Sequence, residues 1–234
     1  MKREELTQQI ANAVETVIVK GSDLVPFVRP DVADVVRKVN GLSNGTLNLQ
    51  TPGDFFDERL LISTLDAAAK DYLRSAQLVA TGSGGATGTL GLPGLAIDLP
   101  VLVASTVGMV RRHALVYGFS DIEEAKGDRV PLLLAFATAL GAESAIDRLS
   151  ARLGASIAGP AVERLLARVV SEEMATRIAT RWLARAVPVV SSATGAALDY
   201  FFLREVGRRS IRHYRERNLL VRAQMAAAKG AGGE

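Results

Sequence analysis

The chain has 234 residues, which is enough for a helical bundle with a sizeable core. Apolar residues make up 48% and charged residues 23%, a balance that excludes disorder over most of the chain, and the lack of cysteine excludes a disulfide framework, thiolate metal sites and a cysteine nucleophile. The 28 basic residues exceed the 25 acidic residues by only three, so we expect no nucleic acid partner.

The amino-terminal residues 1–21 carry charges near the start, and Gln, Asn and Glu interrupt their apolar positions. A secretory signal peptide needs a continuous apolar stretch, which this pattern does not provide. We therefore expect the protein in the cytoplasm or on the cytoplasmic face of the cell membrane. Apolar residues at three- and four-residue steps predict a short amphipathic helix over residues 4–19.

The next segments alternate between helical and loop patterns. A short helix is predicted over residues 31–39, followed by a loop rich in Asn, Gly, Ser and Thr over residues 40–53. Asp54 is suited to cap a long helix, which is predicted to end at Gly82.

The second half of the chain also has helical periodicity. Ser120 and Glu123 have the spacing of a capping box, residues 154–160 contain helix-breaking glycines and a proline, and a last helix is predicted over residues 188–218. No segment alternates with period two for long, so no sheet is expected. The sequence predicts an all-α multi-helix bundle, in which an amino-terminal part and a main helical domain precede a flexible tail, over residues 1–53, 54–222 and 223–234.

A long apolar segment covers residues 75–110, in which Asp98 is the only charged residue. It is too long for one straight crossing of a bilayer, which needs about 20 residues. Pro93 and Gly94 divide it into two halves, and basic residues at both ends favour the same membrane side for both flanks. The pattern predicts a glycine-rich helical hairpin, either inserted in a membrane or buried in a soluble bundle.

A second apolar segment covers residues 186–203 and contains Asp199 as its only charge. A soluble bundle could hold a lipid or another apolar ligand between the hairpin and the last helix, with the aspartates as polar anchors. The candidate ligand-binding residues are Asp98, Asp199, Gly84 and Gly88.

Arginines follow both apolar segments. Basic residues directly after an apolar helix are typical contacts for anionic lipid, whereas a solvated helix face with acidic neighbours is the alternative interpretation. The candidate contacts to lipid head groups are Arg111, Arg112, Arg204, Arg208 and Arg209.

No catalytic motif is found, since the sequence lacks a phosphate-binding loop, a nucleophile elbow and the zinc pattern HExxH. We therefore assign no catalytic residue, no metal ligand and no cofactor. An unrecognised hydrolase remains an alternative, in which His113 or His213 would act with Asp98 or Asp199. Each histidine follows arginines near the end of a helix, where a cation is favoured in any case.

Two motifs together resemble the EcsC protein family: GLPGLAIDLPVLVASTVGMVRRHALVYGF, after a glycine-rich turn, and AVPVVSSATGAALDYFFLREVGRRSIRHY. The resemblance covers residues 54–218. The family takes its name from a gene beside those of an ABC transporter involved in secretion, so the resemblance implies a transporter or another membrane protein as a partner. Membrane lipid is the partner that the apolar segments and their arginines predict. The resemblance supplies no catalytic residues.

The leading functional hypothesis from these observations is a non-enzymatic, membrane-associated helical accessory protein, linked to transport or secretion. A soluble protein that binds a lipid or another apolar ligand is the first alternative, and the hydrolase is the second.

Overall fold

The computed structural model describes residues 7–8, 11–12, 30–45, 47–87, 92–119, 130–147, 160–185 and 192–231. Within these ranges the regular secondary structure is helical and contains no strand, so the all-α prediction is confirmed. The principal helices are α1 (Val32–Leu42), α2 (Ile62–Thr87), α3 (Leu92–Val116), α4 (Val130–Ala139), α5 (Pro160–Arg185) and α6 (Ser192–Ala231), with a 3-10 helix over Pro52–Phe56.

Helix α6 organises the bundle. It has 40 residues, which corresponds to a length of about 60 Å at the usual helical rise. It packs against α2, α3 and α4, while α2 and α3 pack along each other. Helix α1 covers α2 and α3 on one side, and α5 packs mainly on α4. The side chains that α6 turns away from these neighbours form a long outer face.

Local hydrogen bonds explain where the first elements begin. The Asp31 carboxylate accepts the N–H of Ala33 at 2.9 Å and caps α1. Asp54, which the sequence suggested as the cap of the long helix, lies inside the 3-10 helix and accepts the N–H groups of Gln50 and Thr51 at 2.7 and 2.8 Å. These backbone hydrogen bonds lower the pKa of Asp54.

Helices α3 and α4 both end at a glycine with a left-handed backbone, Gly118 with φ of 91° and Gly141 with φ of 72°. After α3 the N–H of Phe119 donates to the carbonyl of Ala114 at 2.9 Å, and the same pattern follows α4. This is a Schellman cap, in which the glycine adopts a conformation that costs other residues about 1–2 kcal/mol.

Small residues allow close packing at the centre of the bundle. A Cβ atom on Gly207 of α6 would lie 2.5 Å from Cδ1 of Leu73 in α2 and 3.1 Å from Sδ of Met109 in α3. Real Cβ atoms do not approach so closely, so any larger residue at position 207 would force the side chain of Leu73 to shift within the packed core. Elsewhere the core contains large buried side chains, including Phe55, Leu65, Met109, Tyr117, Phe136 and Phe202.

Two helices extend further than the sequence predicts. Helix α2 continues past Gly82 to Thr87, since a glycine inside a helix costs only about 1 kcal/mol and packing against α3 and α6 offsets this. Helix α6 continues beyond residue 218 to Ala231 because its last turns are rich in alanine, and these turns occupy most of the predicted tail. The predicted capping box at Ser120 and Glu123 and most of the predicted helix over residues 4–19 lie outside the described residues.

The predicted apolar hairpin over residues 75–110 corresponds to the second half of α2 and most of α3, with residues 88–91 between them outside the described part. Among the described residues, no helix combines the length and the apolar character that crossing a bilayer requires.

Candidate functional site

The side chain of His113 is completely buried where α2, α3 and α6 meet. Its Nε2 lies 3.1 Å from the carbonyl oxygen of Ala69, which can only accept, so Nε2 carries the proton and donates it. Its Nδ1 lies 3.1 Å from Oγ of Ser210 and accepts the hydroxyl proton. Burial lowers the pKa of His113 to about 4, so the imidazole is neutral near pH 7.

The contact between Ser210 and His113 has the residue types of a nucleophile and its general base. Both side chains are completely buried, however, and the second imidazole nitrogen is bound to a carbonyl and not to a carboxylate. Both ring nitrogens of His113 therefore already have hydrogen-bond partners. Neither partner is Asp98 or Asp199, the aspartates that the hydrolase hypothesis would pair with a histidine. In this fold the pair connects three helices.

His213, the other candidate histidine, lies on α6 beside Tyr214, with the two ring centroids 5.1 Å apart. Its pKa is lowered mainly by burial and to a smaller extent by the nearby charge of Arg217. The imidazole is half-buried on the flank of α6, in an edge-on contact with the ring of Tyr214.

The structure describes the surroundings of only one of the four candidate ligand-binding residues, Asp199. Asp98 lies in α3 and Gly84 in α2, but the surroundings of both lie outside the described part, and Gly88 falls outside the described residues altogether. Asp199 lies near the start of α6 and is only 2% exposed. A binding role for these residues stays a prediction.

The arginine pair at the end of the first apolar segment does not form an outer surface. Arg111 is only 4% exposed. The guanidinium of Arg112 lies 5.9 Å from the ring centroid of Tyr72, whose other cationic neighbour is Lys38 at 4.6 Å. The Tyr72 hydroxyl donates to Asp34 at 2.9 Å, so Arg112 belongs to a polar contact between α1, α2 and α3.

The arginines of the last helix do gather on the surface. They line a shallow depression of about 480 Å³, which we call the α6 basic surface, formed by Phe201, Arg204, Glu205, Arg208, Arg209 and Arg212. Four arginines and one glutamate give it a net charge of +3. Its members follow two parallel rows with four-residue spacing, an inner row of Phe201, Glu205 and Arg209 and an outer row of Arg204, Arg208 and Arg212.

Ion pairs anchor the inner row to neighbouring helices. The Glu205 carboxylate accepts from Arg209 at 3.2 Å and from Arg177 of α5 at 3.4 Å. Arg177 also donates to Glu173 at 2.8 Å. Both guanidinium groups rest on Gly141 at the end of α4, where a Cβ atom would overlap Nη1 of Arg209 and lie 3.2 Å from Nη2 of Arg177. The carboxyl end of a helix favours cations, so this position suits them electrostatically.

The outer row has no such neutralisation. Within the residues that the structure describes, Arg204, Arg208 and Arg212 form no ion pair. Like charges four residues apart on a helix destabilise it by about 0.2–0.5 kcal/mol per pair. A bound anion would reduce this repulsion, which makes the outer row a candidate site for anion binding.

Apolar side chains adjoin the α6 basic surface towards the start of the helix. Phe201 is 54% exposed and packs edge-on against Tyr200, with the ring centroids 5.7 Å apart. The Gln77 amide donates to the carbonyl of Tyr200 at 3.4 Å, which joins α2 to α6 here. The surface thus combines exposed apolar groups with a row of unneutralised cations.

A larger depression of about 750 Å³ lies between residues 47–59 and the end of α6. Its charged groups largely neutralise one another, since Arg59 pairs with Asp57 at 2.6 Å and lowers the pKa of that carboxyl to about 2. Arg222 donates to the carbonyls of Leu60 and Phe55, both at 2.7 Å, and thereby holds this segment on α6. These contacts serve the fold and leave little net charge to attract an ion.

The family model of the EcsC protein family matches residues 2–219. The chain belongs to the EcsC protein family. The EcsC match begins well before residue 54, where the sequence motifs alone placed the start of the resemblance. It includes all six residues of the α6 basic surface. Neither the curated proteins nor the solved structures gave a match to this EcsC chain.

Sequence reasoning did not assign three members of the α6 basic surface to a site, namely Phe201, Glu205 and Arg212. Arg212 continues the four-residue spacing of Arg204 and Arg208, a signal that was available in the sequence. Phe201 lies three residues before Arg204, on the same face, but an aromatic residue in an apolar segment looks like core until the fold exposes it. Arg177 and Glu205 lie 28 residues apart in the sequence and on different helices, so no local pattern predicts their contact.

Proposed function

We propose that this EcsC-family chain is a non-enzymatic helical accessory protein that associates with membranes, and that the α6 basic surface contacts anionic lipid. The transport or secretion setting implied by the family resemblance is part of the proposal. The observation that supports it is the outer row of three arginines without ion pairs, next to the exposed ring of Phe201. Arg111 is left out of the proposal because it is buried.

The two kinds of group suit the two layers of a membrane surface. An arginine near an anionic surface contributes about 1 kcal/mol, so the outer row contributes about 3 kcal/mol. Burying an aromatic side chain that was exposed contributes up to about 1.5–3 kcal/mol. The total corresponds to reversible binding at the surface, and the electrostatic part should weaken as salt rises.

Binding to lipid vesicles tests this proposal. We expect the protein to sediment with vesicles that contain anionic phospholipid and not with purely zwitterionic vesicles. Replacing two outer-row residues, Arg208→Gln with Arg212→Gln, should weaken binding roughly 30-fold, since two contributions of about 1 kcal/mol are lost. Phe201→Ser should weaken binding in a way that salt does not change.

A matched control removes two positive charges from positions outside the α6 basic surface. Arg37 on α1 and Arg168 on α5 are both exposed, and each forms an ion pair with a carboxylate of its own helix, Arg37 with Asp34 and Arg168 with Glu172. Arg37→Gln with Arg168→Gln should leave vesicle binding within about twofold of the wild type if the position of the charges matters. An equal loss in both double variants would show a general effect of net charge and contradict the site.

Fractionation of the native protein separates the other functions. Retention in membranes after a carbonate wash would indicate insertion of the hairpin over residues 75–110 in addition to surface contact. Release with bound lipid would favour the apolar-ligand carrier. Absence of binding to both membranes and anionic vesicles would refute the proposed function.

A further inference from the structure

We infer that the α6 basic surface selects lipid head groups that carry two phosphate groups over head groups that carry one. This inference rests on the proposed function and specifies its ligand. It depends on the length of the outer row and on the absence of ion pairs along it in the described structure.

The spacing of the outer row exceeds the reach of one phosphate. Arg204 and Arg212 are eight residues apart, which corresponds to about 12 Å along the helix axis. One phosphate pairs with one guanidinium in a two-point contact or bridges two neighbours whose Cβ atoms lie about 5–6 Å apart. The third arginine then remains unneutralised. A second phosphate on the same head group would meet it without the loss of entropy that capturing a second molecule requires.

The net charge of the α6 basic surface also favours a head group with two phosphates. A head group with one negative charge leaves the surface, at +3, with a charge of +2. Two phosphates carry at least two negative charges and bring the site closer to neutrality. Glu205 does not prevent this, since its carboxylate is held by Arg177 and Arg209 on the inner side.

The exposed ring of Phe201 indicates that the two-phosphate ligand is part of a membrane and not a molecule in solution. Phe201 lies three residues before Arg204 in the chain, beside exposed Tyr200. A soluble diphosphate offers nothing for these rings to bury, whereas the interface of a bilayer offers both phosphates and an apolar layer.

The test compares two sets of vesicles with equal total negative charge, one containing a lipid with a single phosphate and the other a lipid with two phosphates at half the molar fraction. We expect about fivefold tighter binding to the two-phosphate vesicles, the effect of one additional arginine contact. Arg212→Gln should abolish this preference, because it should weaken binding to the two-phosphate vesicles about fivefold more than binding to the single-phosphate vesicles. Arg168→Gln is the matched control and should retain the preference.

Each outcome decides a different point. Equal binding to both vesicles at matched charge would overturn the head-group selection and leave the proposed function intact. No binding to either would overturn both. A further measurement uses inorganic pyrophosphate alone in calorimetry, where we expect at least tenfold weaker binding than to the vesicles. Equally tight binding would overturn the membrane source and assign the site to a soluble diphosphate.

Discussion

Acidification tests the role that the structure gives to His113. The folded protein buries the neutral imidazole between Ala69 and Ser210, and burial lowers its pKa to about 4 from the usual 6.5. At about pH 7.5 and above, neither the folded nor the unfolded chain protonates this group appreciably, so its full contribution to stability is present. Between the two pKa values the unfolded chain binds a proton that the folded chain does not, and stability falls as the pH decreases.

The size of this loss follows from the two pKa values. At about pH 5 the linkage amounts to about 2 kcal/mol, and it approaches a limit of about 3 kcal/mol below the folded pKa. This is a substantial part of the total stability of about 5–15 kcal/mol that is typical of a domain. The lowered pKa of His213 adds to the loss in the same direction.

The assay is urea denaturation followed by helical circular dichroism, at several pH values between about 7.5 and 5. His113→Gln removes the titrating group and keeps an amide that can hydrogen-bond. Although this variant is less stable at neutral pH, its stability should change with pH by about 2 kcal/mol less than that of the wild type. If both proteins lost the same free energy between these pH values, the assignment of the pH dependence to buried His113 would be refuted.

Two further predictions concern glycines, each with a glycine control. Gly141→Ala should destabilise the protein by about 2 kcal/mol, because left-handed backbone strain adds to displacement of the guanidinium groups that rest on it. Gly45→Ala has the same strain but no neighbour within 4 Å and should cost only about 1 kcal/mol, as urea denaturation can show. Gly207→Ala should destabilise by about 1–3 kcal/mol because its Cβ would meet Leu73, whereas Gly230→Ala, in open space on the same helix, should be neutral or slightly stabilising. Equal midpoints for either pair of variants would contradict these packing assignments.

The all-α fold could be predicted because helical periodicity is a local property that persists through long segments. The glycine-rich apolar segment was correctly predicted to contain two helices, which appear as α2 and α3 packed along each other. Boundaries were less predictable. Gly82 suggested an end, but a glycine inside a helix carries a small penalty that tertiary contacts outweigh.

The candidate site could be predicted only in part, since local spacing does not reveal which face of a helix is covered. Arg111 and Arg112 look equivalent to Arg208 and Arg209 in sequence, each pair following an apolar segment. The fold buries Arg111 at 4% exposure and engages Arg112 with Tyr72, while Arg208 stays exposed. The difference arises because α3 is surrounded by α1, α2 and α6, whereas α6 has one face without a helical neighbour in the described structure.

Some arginines of α6 hold the fold together, whereas those of the outer row lie on the surface and are able to bind a ligand. Only the second group can serve as a test of ligand binding. Arg222 holds two backbone carbonyls at 2.7 Å, Arg215 donates to Asp66 at 3.3 Å, and Arg217 lies 4.4 Å from the ring centroid of Phe119. Replacing any of these should disturb packing, so a loss of binding in such a variant would say little about a ligand. The outer row forms no ion pair within the described residues, and its three like charges repel one another along the helix. Removing its charges should therefore leave stability unchanged or slightly higher while it weakens binding, a combination that a purely structural role for these arginines cannot produce.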